Sequence, residues 1–102
     1  MKYHLIIRPE AEEDIQGAFG WYEDRVSGLG KEFLRCIDAA FSQINRSPVA
    51  CPVIYKNIRR KLTRRFPFGI FYIISHERLI VIAVFHVRRN PNLWQKQRKI
   101  NG

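Results

Sequence analysis

The sequence predicts an α+β domain in which an N-terminal strand and an antiparallel helical hairpin pack on a twisted antiparallel β-sheet. Three observations carry the prediction. Apolar residues recur at helical intervals from Ala11 to Ile44 and then switch to strand-like runs after Ile58. A single short turn, Ser27-Gly28-Leu29-Gly30, divides the helical part, so its two helices run antiparallel. The strand-like runs follow one another through short breaks, which pairs them as an antiparallel meander. At 102 residues with 46% hydrophobic content the chain is long enough for one core and too short for two. It reads as one domain over 1–102, with the hairpin at 8–46, the meander at 58–88 and a C-terminal segment at 91–102.

Tyr3 to Ile7 is a short aromatic and β-branched run stopped by Pro9, and predicts a first strand. Ala11, Ile15, Ala18, Phe19 and Tyr22 then repeat at helical spacing, with Glu10, Glu12, Glu13 and Asp14 in the first turns, where the helix dipole favours carboxylates. This helix ends near Arg25. After the turn, Phe33, Ile37, Ala40, Phe41 and Ile44 predict a second amphipathic helix that stops before Ser47-Pro48. Residues 47–57 read as a connector. Strands are expected over Ile58–Phe66, Ile70–Ile74 and Leu79–Val87, with a polar turn at Ser75-His76-Glu77-Arg78. Strict alternation sets Phe71 and Ile73 against Ile70, Tyr72 and Ile74, and Val81, Ala83 and Phe85 against Ile80, Ile82 and Val84, so both faces of these strands are apolar. One helical hairpin covers one face. The other is left for the C-terminal segment or for another chain, and a protein partner is expected on packing grounds.

Charge divides the chain. Residues 1–45 carry five basic and eight acidic side chains, net −3, whereas residues 46–102 carry thirteen basic and one acidic, net +12. Much of that positive charge falls in strand-like segments, at Arg59-Arg60-Lys61-Leu62-Thr63-Arg64-Arg65 and His86-Val87-Arg88-Arg89. A cationic face held by a sheet suits an anionic partner, nucleic acid or a protein engaged on it. No stretch approaches the roughly 20 apolar residues of a membrane span, and the opening apolar run is too short for a signal peptide. A cytoplasmic location is expected. Cys36 and Cys51 lack CxxC spacing and read as free thiols. His4 and His76 have no carboxylate or cysteine cluster at ligand spacing, so neither a metal nor a cofactor is expected.

Arg64-Arg65-Phe66-Pro67-Phe68-Gly69-Ile70-Phe71-Tyr72, followed by Val81 through Arg88-Arg89-Asn90-Pro91-Asn92-Leu93-Trp94, resembles bacterial toxins of the RelE/ParE superfamily, on the ParE branch. Pro9-Glu10-Ala11-Glu12-Glu13-Asp14-Ile15, Trp21-Tyr22-Glu23 and Gly28-Leu29-Gly30-Lys31-Glu32-Phe33-Leu34 extend the likeness over nearly the whole chain in the same order. The resemblance implies the toxin of a type II toxin–antitoxin pair, linked to plasmid stabilisation and growth inhibition, with an antitoxin whose disordered, acidic C-terminal region folds onto it. Such an antitoxin suits a net charge of +9. Phe71 and Ile73, with Trp21 and Tyr22, are the candidate antitoxin contacts, although both helical aromatics also suit a core.

Two targets follow from the resemblance. ParE-like members poison DNA gyrase; RelE-like members cut mRNA on the ribosome. Cutting RNA needs a general base, a general acid and cations for the phosphate. Lys61, Arg64 and Arg88 match charge-supplying positions, but the arginine that RelE-like enzymes place on the next strand falls at Gly69, and their late tyrosine falls at Trp94. His86 is the remaining acid–base candidate, since some RNase members use a late histidine; in the ParE branch it belongs to the strand end. The reading adopted is a gyrase inhibitor that works by binding rather than by its own covalent chemistry, with Arg60, Arg64, Arg65, His86, Arg88, Arg89 and Trp94 as target contacts. The alternative is a ribosome-dependent endonuclease with His86, Arg88, Lys61 and Arg64 in the site. The run at 59–65 also suits a plain solvated face, and Trp94 suits packing back on the sheet.

Overall fold

A computed structural model describes residues 3–87, so Arg88, Arg89, Trp94 and the expected C-terminal segment lie outside the described residues. Strand β1 (His4–Ile7) leads into helix α1 (Pro9–Arg25), which starts two residues before the periodicity does. Pro9 occupies the first turn, where its missing N–H is no loss and its fixed φ already suits the helix. Helix α2 (Leu29–Arg46) follows after a tight turn, with Gly28 in the left-handed region at φ 90°. Its N-terminus is capped from the preceding helix. Glu23 accepts the Gly28 and Gly30 N–H groups at 2.9 and 3.0 Å, so one carboxylate fixes the turn and satisfies orphan donors of α2. Gly30 lets the helices close up, because a Cβ there would stand 2.7 Å from the Phe19 ring.

The sheet has five strands in the order β1-β5-β4-β3-β2, with β2 at Val53–Tyr55, β3 at Ile58–Leu62, β4 at Phe68–Ser75 and β5 at Arg78–His86. Strand β1 joins β5 in parallel, His4 opposite Arg78 and Ile7 opposite Val81, so the sheet is mixed rather than wholly antiparallel.

Three expectations need correction. The connector contains strand β2, held in place when the Arg59 guanidinium donates to the Val49 and Cys51 carbonyls at 3.1 and 2.6 Å. The first long strand stops at Leu62 rather than Phe66. There the Thr63 N–H and hydroxyl reach the Phe68 carbonyl at 2.9 and 3.2 Å and the hydroxyl also meets the Phe66 carbonyl, closing a turn that buries Phe66 under the helices. Alternation in β5 is broken by a bulge: Phe71 faces Ala83 but Tyr72 faces Val81, which leaves Ile82 as the extra residue. Leu79, Val81 and Val84 therefore look toward the helices, while Ile82, Ala83 and Phe85 share the opposite face.

The main core lies between hairpin and sheet, centred on Tyr22, Phe33, Phe66 and Phe68, whose rings stand 4.8–6.1 Å apart in edge and tilted contacts. The opposite face carries a second cluster, in which Phe71, Ile73 and Phe85 are 3%, 4% and 7% exposed. Among the described residues no helix is long and apolar enough to cross a membrane.

Candidate binding surface

The cations of β3 part to opposite faces of the sheet. Arg59 and Lys61 sit opposite Tyr72 and Ile70, on the helix side, whereas Arg60 sits opposite Phe71 on the other. Arg59 is consumed by the connector carbonyls. The stem of Arg60 lies beside Gly69, where a Cβ would meet its Cδ at 3.3 Å and the Phe71 ring at 3.2 Å, and its Nε is buried with no hydrogen-bond partner among the described residues. Glycine at 69 thus makes room for the neighbouring arginine.

Lys61 and Arg64 meet in a groove of about 440 Å³ between α2 and the free end of β3. The α2 wall is a stripe of small and polar residues, Cys36, Ala39, Ala40 and Gln43, ending at Arg46. Tyr72 is fully buried and donates its hydroxyl to the Pro48 carbonyl at 2.6 Å, tying the connector to the sheet. Burial first, and Cys51 second, push Tyr72 ionisation well above the usual tyrosine range. Both cysteines are free thiols lining this groove.

His86 is elsewhere. It stacks edge-on against Phe68 with centroids 5.5 Å apart, and shares a separate hollow of about 490 Å³ with Glu13, Asp14 and Trp21. Strand β4 lies between β3 and β5, which sets His86 about 9.5 Å from the β3 axis at the usual strand spacing. The fold therefore brings Lys61 and Arg64 together and sets His86 apart from them. Arg65 lies on the surface, paired with Glu32 and over the Phe66 ring at 5.3 Å.

Of the candidate antitoxin contacts, Phe71, Ile73 and Tyr22 are buried, while Trp21 is 39% exposed beneath the Arg25 guanidinium, 3.8 Å from its ring. Two contributions escaped the sequence. Asp14, assigned only to the helix dipole, accepts the Val84 N–H at 2.9 Å and so caps the β5 edge beyond its pairing with β1. Arg46, counted with the end of a helix, faces β3; the small-residue stripe at Cys36, Ala39, Ala40 and Gln43 was the available signal.

Comparison with known proteins gives a consistent result. Residues 5–91 match the model of the ParE toxin of the type II toxin–antitoxin system parDE. Toxin ParE2 of Mycobacterium tuberculosis, in strains CDC 1551 and H37Rv, is 27% identical over 93 residues, covering 90% of this chain and 89% of the relative. Among solved structures, the chromosomal ParDE system from P. aeruginosa superposes with a TM-score of 0.71 at 12% identity, over 83% of this chain and 96% of that one. The RelBE2 toxin–antitoxin complex from Mycobacterium tuberculosis gives 0.59 at 16% identity, over 84% and 92%. These structural likenesses concern the fold, a helical hairpin on a mixed sheet. The family match spans most of the chain, which belongs to the ParE toxin family of type II toxin–antitoxin systems, within the RelE/ParE superfamily.

Proposed function

We propose that this toxin arrests growth by binding DNA gyrase in the cytoplasm, stabilises the plasmid or locus that carries it, and is held inactive by a cognate antitoxin. The observation that carries the choice of target is the separation of His86 from Lys61 and Arg64 into two hollows on either side of β4. Cutting RNA by attack of its 2′-OH needs a base for that hydroxyl, an acid for the leaving oxygen and cations for the phosphate, all converging on one linkage. The described residues offer no such convergence, and Gly69 accommodates the Arg60 stem. Inhibition by binding makes no such demand; it needs an exposed cationic surface, with Arg60, Arg64, Arg65, His86, Arg88, Arg89 and Trp94 as the contacts.

The test is a supercoiling reaction with gyrase, ATP and relaxed plasmid, run with the wild-type chain and with an Arg88→Ala, Arg89→Ala variant. Loss of supercoiling, or trapped cleaved plasmid, with the wild type alone supports the gyrase target and those arginines. Normal supercoiling at excess toxin refutes it. The ribosome-dependent endonuclease then becomes the reading, and His86→Ala is expected to abolish mRNA cleavage without unfolding the protein.

A further inference from the structure

Two thiols and three cations line the groove between α2 and β3, and the proposed target contacts use neither thiol. Cys36 and Cys51 are both free and half-buried, with Arg46, Lys61 and Arg64 on the same walls and no carboxylate among the described lining residues. The two sulfurs are not equivalent. Cys51 hydrogen-bonds the buried Tyr72 hydroxyl through its side chain, and its carbonyl is taken by Arg59 at 2.6 Å. Cys36 stands on α2, followed one turn later by Ala39 and Ala40, whose short side chains leave room along the groove beside it. Glu32, one turn before Cys36, pairs with Arg65, which brings the neighbouring Arg64 alongside the same stretch of helix. Spacing argues against a disulfide between the two. Cys36 lies ten residues before Arg46 on α2, about 15 Å along the axis, and Cys51 follows beyond the end of that helix, whereas a disulfide needs Cα atoms within about 7 Å.

We infer that the groove is a thiol-exchange site, in which Cys36 takes up half of a small anionic disulfide of the glutathione class while Lys61, Arg64 and Arg46 hold its carboxylates. The Cys36 thiolate attacks one sulfur of the incoming disulfide. A new S–S bond forms to Cys36, the old S–S bond breaks, and the other half departs as a thiolate that takes up a proton in place of the one Cys36 released. Cys36 is oxidised and the departing half is reduced, so no further oxidant enters. A groove of about 440 Å³ is of the size that holds small ligands. Charge selects the guest, since three cations without a described carboxylate favour an anionic disulfide over a neutral or cationic one, and the guanidinium groups of Arg46 and Arg64 match carboxylates in shape as well as in sign. The adduct fills the groove and offsets its positive charge, a reversible covalent state that goes beyond the toxin reading and does not rest on it. A Cys36 that served only as a small apolar filler of the helix face would react without regard to charge.

The full chain, reduced, is incubated with oxidised glutathione, with the neutral hydroxyethyl disulfide and with the cationic cystamine; adducts are followed by intact mass and placed by peptide mapping. Once each rate is scaled to that of free cysteine, oxidised glutathione is expected to modify Cys36 about 10-fold faster than hydroxyethyl disulfide does, and cystamine to be the slowest. Rising salt should erase the preference, and a Lys61→Ala, Arg64→Ala variant should reduce it to about 2-fold. The salt series needs only the wild-type chain and decides the matter if the double variant fails to fold, as circular dichroism would show. Cys51→Ser should keep the adduct and Cys36→Ser should lose it. Equal scaled rates for the three disulfides overturn the site, as does an adduct placed on Cys51, a loss of two hydrogens without any adduct, or reaction only in urea. Each of these outcomes leaves the toxin reading, tested by supercoiling, where it stands.

Discussion

Replacing Glu23 by alanine should destabilise the hairpin more than any other single change of a polar residue on it. The carboxylate holds two N–H groups at once, Gly28 at 2.9 Å and Gly30 at 3.0 Å, and Gly28 has no side chain with which to cap α2 itself. Hydrogen bonds to a charged acceptor contribute about 1.5–3 kcal/mol each when water is excluded. Glu23 is half-buried, so water recovers part of this, and loss of a helix cap costs about 0.5–2 kcal/mol. A net loss of about 2 kcal/mol follows, or about 8–12 °C in Tm for a domain of this length. Glu23→Gln keeps one good acceptor but no charge, and should lose about half as much. Urea denaturation followed by circular dichroism measures both, with Asp24→Ala as the exposed neighbour expected to stay within about 0.5 kcal/mol of wild type. If Glu23→Ala matches Asp24→Ala, the carboxylate is not the cap and the turn is held by packing alone.

Glycine positions should respond with opposite sign. Gly30→Ala puts a methyl 2.7 Å from the Phe19 ring and 2.9 Å from its carbonyl, and should cost about 1–3 kcal/mol as the helices are forced apart; Gly17→Ala meets nothing within 4 Å in the middle of α1 and should gain about 0.5–1 kcal/mol. Both are read from thermal melts. Tyr72 should make the fold sensitive to alkali. Its folded-state ionisation lies above the ordinary value of 10.0, so the stability it contributes is complete below pH 10 and declines as pH rises further, because the unfolded chain can then release the proton and the folded chain cannot. Tyr72→Phe should flatten that decline while costing about 1–2 kcal/mol at neutral pH, since the Pro48 carbonyl loses its donor; equal alkaline slopes for the two proteins would refute the assignment.

Helical periodicity carried the hairpin almost intact, because Phe33, Ile37, Ala40 and Ile44 all bury against one sheet and nothing interrupts their spacing. Period-two reading did less well on the strands, for local reasons. The bulge at Ile82 inserts one residue that alternation cannot register, since every residue from Leu79 to Phe85 is apolar and no polar face marks the slip. Phe66 looked like a continuation of β3, but Thr63 turns the chain and Pro67 cannot donate to a ladder. Strand β2 escaped because its three residues sit between Pro52 and a turn and owe their place to a long-range bond from Arg59. The parallel docking of β1 on β5 is likewise a matter of topology, invisible in any window of sequence.

The basic half of the chain looked like one electrostatic footprint, and the fold resolves it into residues with separate duties. Arg59 is fixed to the connector, Arg60 threads its stem past Gly69 on the far face, and Arg65 answers Glu32 of α2. Formal charge therefore overstates what a partner meets on β3. What converges in a single groove is Lys61 and Arg64, joined by Arg46 from the helix, and that convergence depends on β3 ending at Leu62. Had the strand run on to Phe66 as its composition suggested, alternation would have kept Lys61 and Arg64 on opposite faces of the sheet. The turn at Thr63 buries Phe66 and opens the groove in one step, so the break in the strand that sequence alone could not place is also the feature that brings these cations together.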